Sequence, residues 1–522
     1  MIFKAAITPA AGEIWTLTSG ASLQVALTRI WVGQVLPRCG VNLVTNLLRP
    51  IQAFRLIYLP LVMVYFAYGA LGIIDVTRDM WIKESLTLSP AELVEISVWL
   101  GLPWTVKMVF GELVDSVPIF GSQRKAYIGI GAVLTAGGMI TLAGSAGGWI
   151  GFTSAHRLYI FGSLLIVIGT VIQDVVADAM STEVVSRVDE GGRPRPEHDV
   201  RTELGMVQVI GRLALSIGIL TVAGLSGWLA KFVERETVFL LGLIVPVIAM
   251  VGVLSIQSEN TERRPLNWGI LGGGLAFGAT VLGLALGKVP FAQELIFVLS
   301  MVVICSMLVV ITRDLDVKTQ QSILFTTIII FVFRATPSAG DGYFWWTLDV
   351  LKFDAGFYGT LRQTAAILAI AAMWFLSKQL SEYSVTRTLF WLTIAGALLA
   401  LPNIALYYGL HEWTEQQFGF GARTIALIDT AAGSPFAQVS MIPLFALIAF
   451  HAPAGRRATW FALMASLTNL ALVAGQLQTK YLNQAFTVGR GGYDELGMLL
   501  ITVMLLSLLF PLTAIALCGR HV

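Results

Sequence analysis

Gly111-Glu112-Leu113-Val114-Asp115-Ser116-Val117-Pro118-Ile119-Phe120-Gly121-Ser122-Gln123-Arg124-Lys125 joins two strongly apolar runs, near 92–113 and 126–149. Each run is long enough to cross roughly 30 Å of hydrocarbon as a helix, so the stretch between them must turn the chain back within a few residues. Gly111 permits a close helix approach, Asp115 ends the first run, and Pro118 with Gly121 enforces a tight turn. Arg124 and Lys125 then anchor the turn on the face where basic residues collect. An acid so near a basic pair can hold a neighbouring helix through a breakable charge contact. Gly111, Asp115, Pro118, Gly121, Arg124 and Lys125 are therefore a candidate gating motif, with a plain capping turn as the alternative.

Outward from this turn the alternation of apolar run and polar break continues. Runs fall near 56–77, 92–113, 126–149, 157–180, 203–229, 236–256, 268–287, 292–312, 322–348, 356–377, 387–409, 422–450, 458–482 and 496–518, which is fourteen. Of 522 residues 56% are hydrophobic and 13% charged, against roughly 25% charged in soluble domains. With a mean hydropathy of +0.77, a soluble globule is excluded and an all-α polytopic membrane protein is expected, with the lipid bilayer as its first partner. The net charge of +2 leaves no basic excess for phosphate backbones, so nucleic acid is not expected as a partner. Roughly twice as many Lys and Arg fall on inner segments as on outer loops if the amino end starts inside, which predicts both termini in the cytoplasm; the expected location is a bacterial-type inner (plasma) membrane. Residues 1–55 read as a cytoplasmic, interfacial segment, because Trp15 to Leu36 is interrupted by Gln24, Arg29 and Gln34; an additional span at 15–36 is the alternative. No removable signal peptide is read there.

Two six-run groups are related by one offset. Leu86-Thr87-Leu88-Ser89-Pro90-Ala91 follows the first run and Leu351-Lys352-Phe353-Asp354-Ala355-Gly356 follows the ninth, 265 residues later. Both resemble a loop ending in a helix N-cap, Ser89 or Asp354. Gln173 and Gln438 fall at the same offset. The expected plan is a six-helix bundle at 56–256, a linker with two additional transmembrane helices at 257–320, and a second six-helix bundle at 321–522, pseudo-symmetric as in rocking carriers.

The DSVPIFG run with its basic pair resembles the signature of the folate-biopterin transporter family, a branch of the major facilitator superfamily. Asp174-Val175-Val176-Ala177-Asp178-Ala179 and Phe333-Arg334-Ala335-Thr336-Pro337-Ser338-Ala339 are similar to further motifs of that family. The resemblance implies a major-facilitator-like core carrying pterins, folates or related conjugated solutes. The departures are the two helices at 268–312 and the Ser122-Gln123 pair, where an aromatic and another basic residue are expected.

Ionisable groups inside spans are costly and mark function by default. Lys107, Arg212, Arg334 and Arg362 lie within the expected spans, with Asp174, Asp178, Asp341, Asp349 and Asp429 available as partners. Asp174 and Asp178 are spaced i,i+4 and share a helix face, so Lys107 and Arg212 are expected to approach it as a charge network. That network either couples transport to an ion or fixes helix packing. Arg334 precedes a Thr-Pro-Ser-Ala-Gly stretch that should break its helix, and a guanidinium there can grip a carboxylate or stack on a flat ring. Arg334, Asp341, Gln173, Gln438 and Arg362 are the candidate substrate-binding residues, with Asp341 expected to pair with Arg334 in the empty site. The run Tyr343-Phe344-Trp345-Trp346 reads chiefly as an interfacial aromatic belt.

Enzymatic readings fail on the same residues. The five histidines have no HExxH or tight metal spacing, and Gly272-Gly273-Gly274 is followed by no Lys-Ser or Lys-Thr. No catalytic residue, metal or cofactor is expected, and ATP is not the direct energy source; the energy comes from an ion gradient, protons included, from a solute gradient, or from none. The expected function is secondary-active transport of a folate or pterin-like, or other anionic heteroaromatic, solute by alternating access. The alternative is a carrier-fold assembly or pigment-handling factor that moves no solute.

Overall fold

The computed structural model describes residues 54–189, 191–256, 268–287, 289–313, 315–381, 385–439 and 457–519. Helix dominates and no strand forms among them, apart from two isolated bridges in turns. The expected interfacial segment before Phe54 and the end of the 422–450 run lie outside the described residues.

The first run is built from α1 (Leu59–Ala70), a 3-10 turn (Leu71–Ile74) and α2 (Asp75–Ser85). Here the structure corrects the sequence reading, because the helix does not stop near 77. Asp75, Arg78 and Asp79, at and just beyond the end of the apolar run, pair with one another, and the helix continues to Ser85. Next come α3 (Pro90–Thr105) and α4 (Lys107–Ser116), separated by a break at Val106 just after Pro103, which has no N–H to give the helix. They are followed by α5 (Lys125–Ala146), α6 (Ala155–Glu183), α7 (Glu197–Phe232), α8 (Arg235–Leu241) and α9 (Ile244–Leu254). The linker carries α10 (Trp268–Leu286) and α11 (Ala292–Thr312). The remainder comprises α12 (Val317–Arg334), α13 (Asp341–Asp349), α14 (Ala355–Ser381), α15 (Val385–Tyr407), α16 (Leu410–Phe418), α17 (Ala422–Val439), α18 (Arg457–Ala485) and α19 (Leu496–Cys518).

Among the described residues eight helices are long and apolar enough to cross a membrane, or nine with the bent pair α3 and α4. The chain is thus a multi-pass integral membrane protein, but fourteen equally apolar spans are not found. The shortfall has visible causes: α12 and α13 are two pieces of one run, and α17 leads into residues that are not described.

Ser89 caps α3 in a reciprocal capping box with Glu92. The Phe357 N–H donates to Asp354 Oδ1 at 2.9 Å at the start of α14. Both residues read as N-caps from the sequence therefore are N-caps.

Helices from the two halves of the chain meet along two seams, α7 with α14 and α3 with α18. In the first seam a Cβ on Gly227 would fall 2.4 Å from the Gly359 Cα and 2.5 Å from the Ala355 carbonyl oxygen, so the backbones touch and nothing larger than glycine fits. A buried apolar cluster including Ile304, Ile329, Leu389, Trp460 and Leu467 joins α11, α12, α15 and α18.

Candidate functional site

A cavity of about 1600 Å³ lies between the two halves, lined by α2, α3, α4 and α6 on one side and by Arg334, α13 and α18 on the other. Its far ends differ. Around the Ser85 end of α2 the halves are tied together: Lys83 pairs with Asp349, which also accepts from the Tyr493 hydroxyl, and Lys231 on α7 pairs with Asp354 at 3.0 Å. Arg490 lies across this end, donating to the carbonyl oxygens of Ile82, Lys83, Leu86 and Leu88 with its guanidinium 4.8 Å from the Trp345 ring. Toward the other end the cavity is lined by Gly111, Glu112 and Asp115.

At Asp115 the quoted turn is a compact lock. Phe120 and Gly121 both take positive φ, 50° and 77°, and the backbone of Ile119 and Ser122 closes the hairpin around them. Arg124 donates to Asp115 Oδ1 at 2.9 Å and, through Nε, to Glu183 Oε2 at 3.1 Å. Burial alone would lower the Arg124 pKa, but Glu183 and then Asp115 outweigh it and raise it. Arg124 thus ties the end of α4 to the end of α6. Gln123 donates to the Asp115 carbonyl at 2.8 Å.

Deeper in, Lys107 at the start of α4 donates to Asp174 and to Asp178, each at 2.5 Å, and the Tyr65 hydroxyl donates to Asp178 at 2.7 Å. The i,i+4 carboxylates do share one face and meet the expected lysine. Arg212 lines the same cavity without closing to ion-pair distance of either carboxylate.

A second network was not legible as such. Arg78 bridges Asp75 and Asp79, each at 3.0 Å, and Arg362 of α14 donates to the same two acids at 2.9 and 3.1 Å. The signal present was the spacing Asp75, Arg78, Asp79, which puts all three on one helical face. Arg362, a candidate substrate residue, is thereby engaged with first-half acids and does not line the cavity. Gln173 does not line it either: it is buried and donates to the Ile128 carbonyl at 3.3 Å. The side chain of Gln438 lies outside the described residues.

The expected break falls at 335–340, between α12 and α13. Pro337 supplies no N–H and disfavours helix at Thr336, and Gly340 takes φ 71°. Unwound backbone inside a membrane needs partners, and α18 provides them: Gln478 donates to the Ala335 carbonyl at 2.6 Å, Asn483 to that of Ala339 at 3.2 Å, and the Ser338 N–H donates to the Thr479 hydroxyl at 2.9 Å. Arg334 and Asp341 stand at the two ends of this break and both line the cavity. Contrary to expectation they do not pair with each other. The Arg334 Nε is buried with no hydrogen-bond partner, and neither charged group makes an ion pair within 4 Å to another described residue.

The aromatic run after Asp341 is not a belt. Trp345 and Trp346 are 1% and 4% exposed, Trp345 lines the cavity, and the Tyr343 hydroxyl donates to Asn403 at 2.6 Å. Aromatic composition alone does not separate a belt from a buried wall; the broken helix turns this run inward.

Comparison with known proteins agrees with this architecture. The model of the BT1 family matches residues 69–520. The chain is 26% identical over 462 residues to the folate-biopterin transporter of Synechocystis sp., covering 87% of this chain and 80% of that one. It is 20% identical over 432 residues to folate transporter 1 of Plasmodium falciparum, covering 82% and 73%. Among solved structures, peptide transporter POT in complex with sulfate superposes with a TM-score of 0.59 at 17% identity, covering 90% of this chain and 94% of that one. A POT family transporter in complex with a thioalcohol conjugated peptide gives 0.60 at 13% identity, covering 89% and 96%. At such identities the likeness concerns the fold, which is of the expected major-facilitator type.

Proposed function

The chain belongs to the BT1 family, and from that premise we propose that it is a secondary-active carrier of a folate or pterin-like solute working by alternating access. The observation that carries this reading is the cavity between the halves, lined at one helix break by a guanidinium, Arg334, and a carboxylate, Asp341, that have no ion-pair partner among the described residues. The names of the relatives, folate-biopterin transporter and folate transporter, supply the solute class.

In this reading residues 56–256 and 321–522 are the two rocking bundles and 257–320 is the linker with two added helices. The ties of Lys83, Lys231 and Arg490 close the outer end, the cavity faces inward, and both termini lie in the cytoplasm of a bacterial-type inner membrane. Asp115 and Arg124 govern the inner gate. Lys107, Asp174 and Asp178 form the coupling network: a proton on either acid releases one of the two contacts that hold the lysine.

The test is uptake of radiolabelled folate and biopterin into proteoliposomes, with and without an imposed proton gradient. Gradient-stimulated accumulation, with that of folate lost in Arg334→Ala while the variant is still correctly inserted, is the expected result. Absence of flux from folded protein overturns the carrier reading. Folate flux unaffected by Arg334→Ala removes that residue from the site.

A further inference from the structure

The charges lining the cavity are not equivalent. Lys107 is neutralised by Asp174 and Asp178, with Arg212 at the border of that group, and Arg78 by Asp75 and Asp79. Arg212, Arg334 and Asp341 are left with no ion-pair partner among the described residues, and the last two flank one six-residue break although they have opposite charge. Burying two such ions without joining them is costly, and the cost is recovered when a ligand satisfies both. Such a ligand presents an anion to Arg334 and a donor edge to Asp341.

The two groups read different chemistry. An ionised carboxylate only accepts, and its two oxygens match a pair of parallel N–H donors. A guanidinium only donates, and its fork matches a carboxylate. Tyr68 and Trp104, stacked on each other with centroids 5.9 Å apart and planes 21° apart, add a flat wall to the same cavity. Trp345 lies one turn beyond Asp341 and is backed by Arg490, which fixes the short helix carrying the carboxylate.

Resting on the folate or pterin reading of this cavity, we propose that the two residues divide the solute between them. Asp341 accepts the ring N–H and exocyclic amino donors of a 2-amino-4-oxopteridine edge, and Arg334 binds the carboxylate of the tail. Each residue is thus a specificity determinant for one end of the ligand.

The experiment uses the full chain in lipid nanodiscs and three probes: folate, which has both ends; biopterin, which has the ring and no carboxylate; and 4-aminobenzoylglutamate, which has the carboxylates and no pteridine. Binding isotherms are measured for the parent, Asp341→Asn and Arg334→Gln. Asp341→Asn weakens folate and biopterin roughly tenfold or more and leaves 4-aminobenzoylglutamate within about twofold, as expected for hydrogen bonds to a charged group. Arg334→Gln does the reverse, weakening folate and 4-aminobenzoylglutamate and sparing biopterin. The spared probe reports that each variant is folded. If either variant binds nothing, Asp341→Glu or Arg334→Lys replaces it, and the same split is required. Equal weakening of all probes, or the opposite split, overturns the division while leaving the solute class intact. A parent that binds none of the three overturns the solute reading as well.

Discussion

Arg362 donates to Asp75 at 2.9 Å across 287 residues of chain, and the same guanidinium reaches Asp79 at 3.1 Å. Two acids near the start of the protein therefore have their charge balanced partly from its second half. Arg362→Ala leaves them to Arg78 alone. The expected outcome is lost uptake and a destabilisation of about 1 kcal/mol, modest because the groups are about a third exposed. Asp75→Asn in the same chain should recover part of the thermal stability but not the uptake. Thermal unfolding in detergent and proteoliposome flux measure the two separately.

Lys107 holds two carboxylates that differ in exposure, Asp174 at 12% and Asp178 at 45%. Removing the lysine strands the buried acid more than the exposed one. Lys107→Ala should cost about 2 kcal/mol of stability. Adding Asp174→Asn should restore most of that loss, whereas Asp178→Asn should restore little. Equal rescue by the two would show that the network is not organised by burial.

Asp354 lies between spans, where it caps α14 and pairs with Lys231. The Phe357 N–H, and then the Lys231 ammonium, hold its carboxyl below the usual aspartate value of 3.8. A carboxyl lowered on folding contributes stability that is complete above the ordinary value and is lost as the pH falls through the folded one. Stability should therefore drop on acidification below 3.8, and Asp354→Asn, which keeps the cap, should flatten that part of the profile. Unfolding temperature measured from pH 6 to pH 3 is the check; parallel profiles for the two proteins would refute it.

The second added helix, α11, makes a buried polar tie besides its apolar packing. Lys480 of α18, 9% exposed, donates to Gln293 at 3.0 Å and Glu294 at 3.1 Å, while Gln293 donates to the Glu95 carbonyl of α3 at 2.8 Å. Lys480→Met should destabilise by about 2 kcal/mol, and Glu294→Gln should offset part of this. None of these side chains lines the cavity, so the half-saturating solute concentration should not change. A shifted value would bring the added helices into the transport cycle.

The parts of this protein readable without coordinates were those set by local chemistry. Apolar runs of membrane length placed the helices, Ser89 and Asp354 announced their capping roles, and Pro337 with Gly340 announced the break. Lys107 with Asp174 and Asp178 was legible because charges inside spans must find partners and the i,i+4 spacing limits the choice. The cluster of Asp75, Arg78 and Asp79 was not legible, because its partner, Arg362, lies hundreds of residues away. Tyr343 to Trp346 was misjudged for the same reason, since burial of an aromatic run depends on what packs over it. The bond from Gln173 to Ile128 shows the limit of repeat arithmetic: an offset locates a residue on a helix but does not say toward which neighbour it turns.

In the proposed alternating access, the contact of Gly227 with Gly359 acts as a fulcrum. Two backbones that already touch cannot approach further, so a rocking of α7 against α14 turns about that point. Lys231 lies four residues from the fulcrum on one side, and Glu197, where α7 begins, lies 30 residues away on the other. At 1.5 Å per residue the second arm is roughly seven times the first. A tilt that lifts Lys231 off Asp354 by an ångström would carry the far end of α7 several times as far. The glycines thus set a mechanical ratio, in which a small clearance at the sealed end is exchanged for a wide displacement at the other.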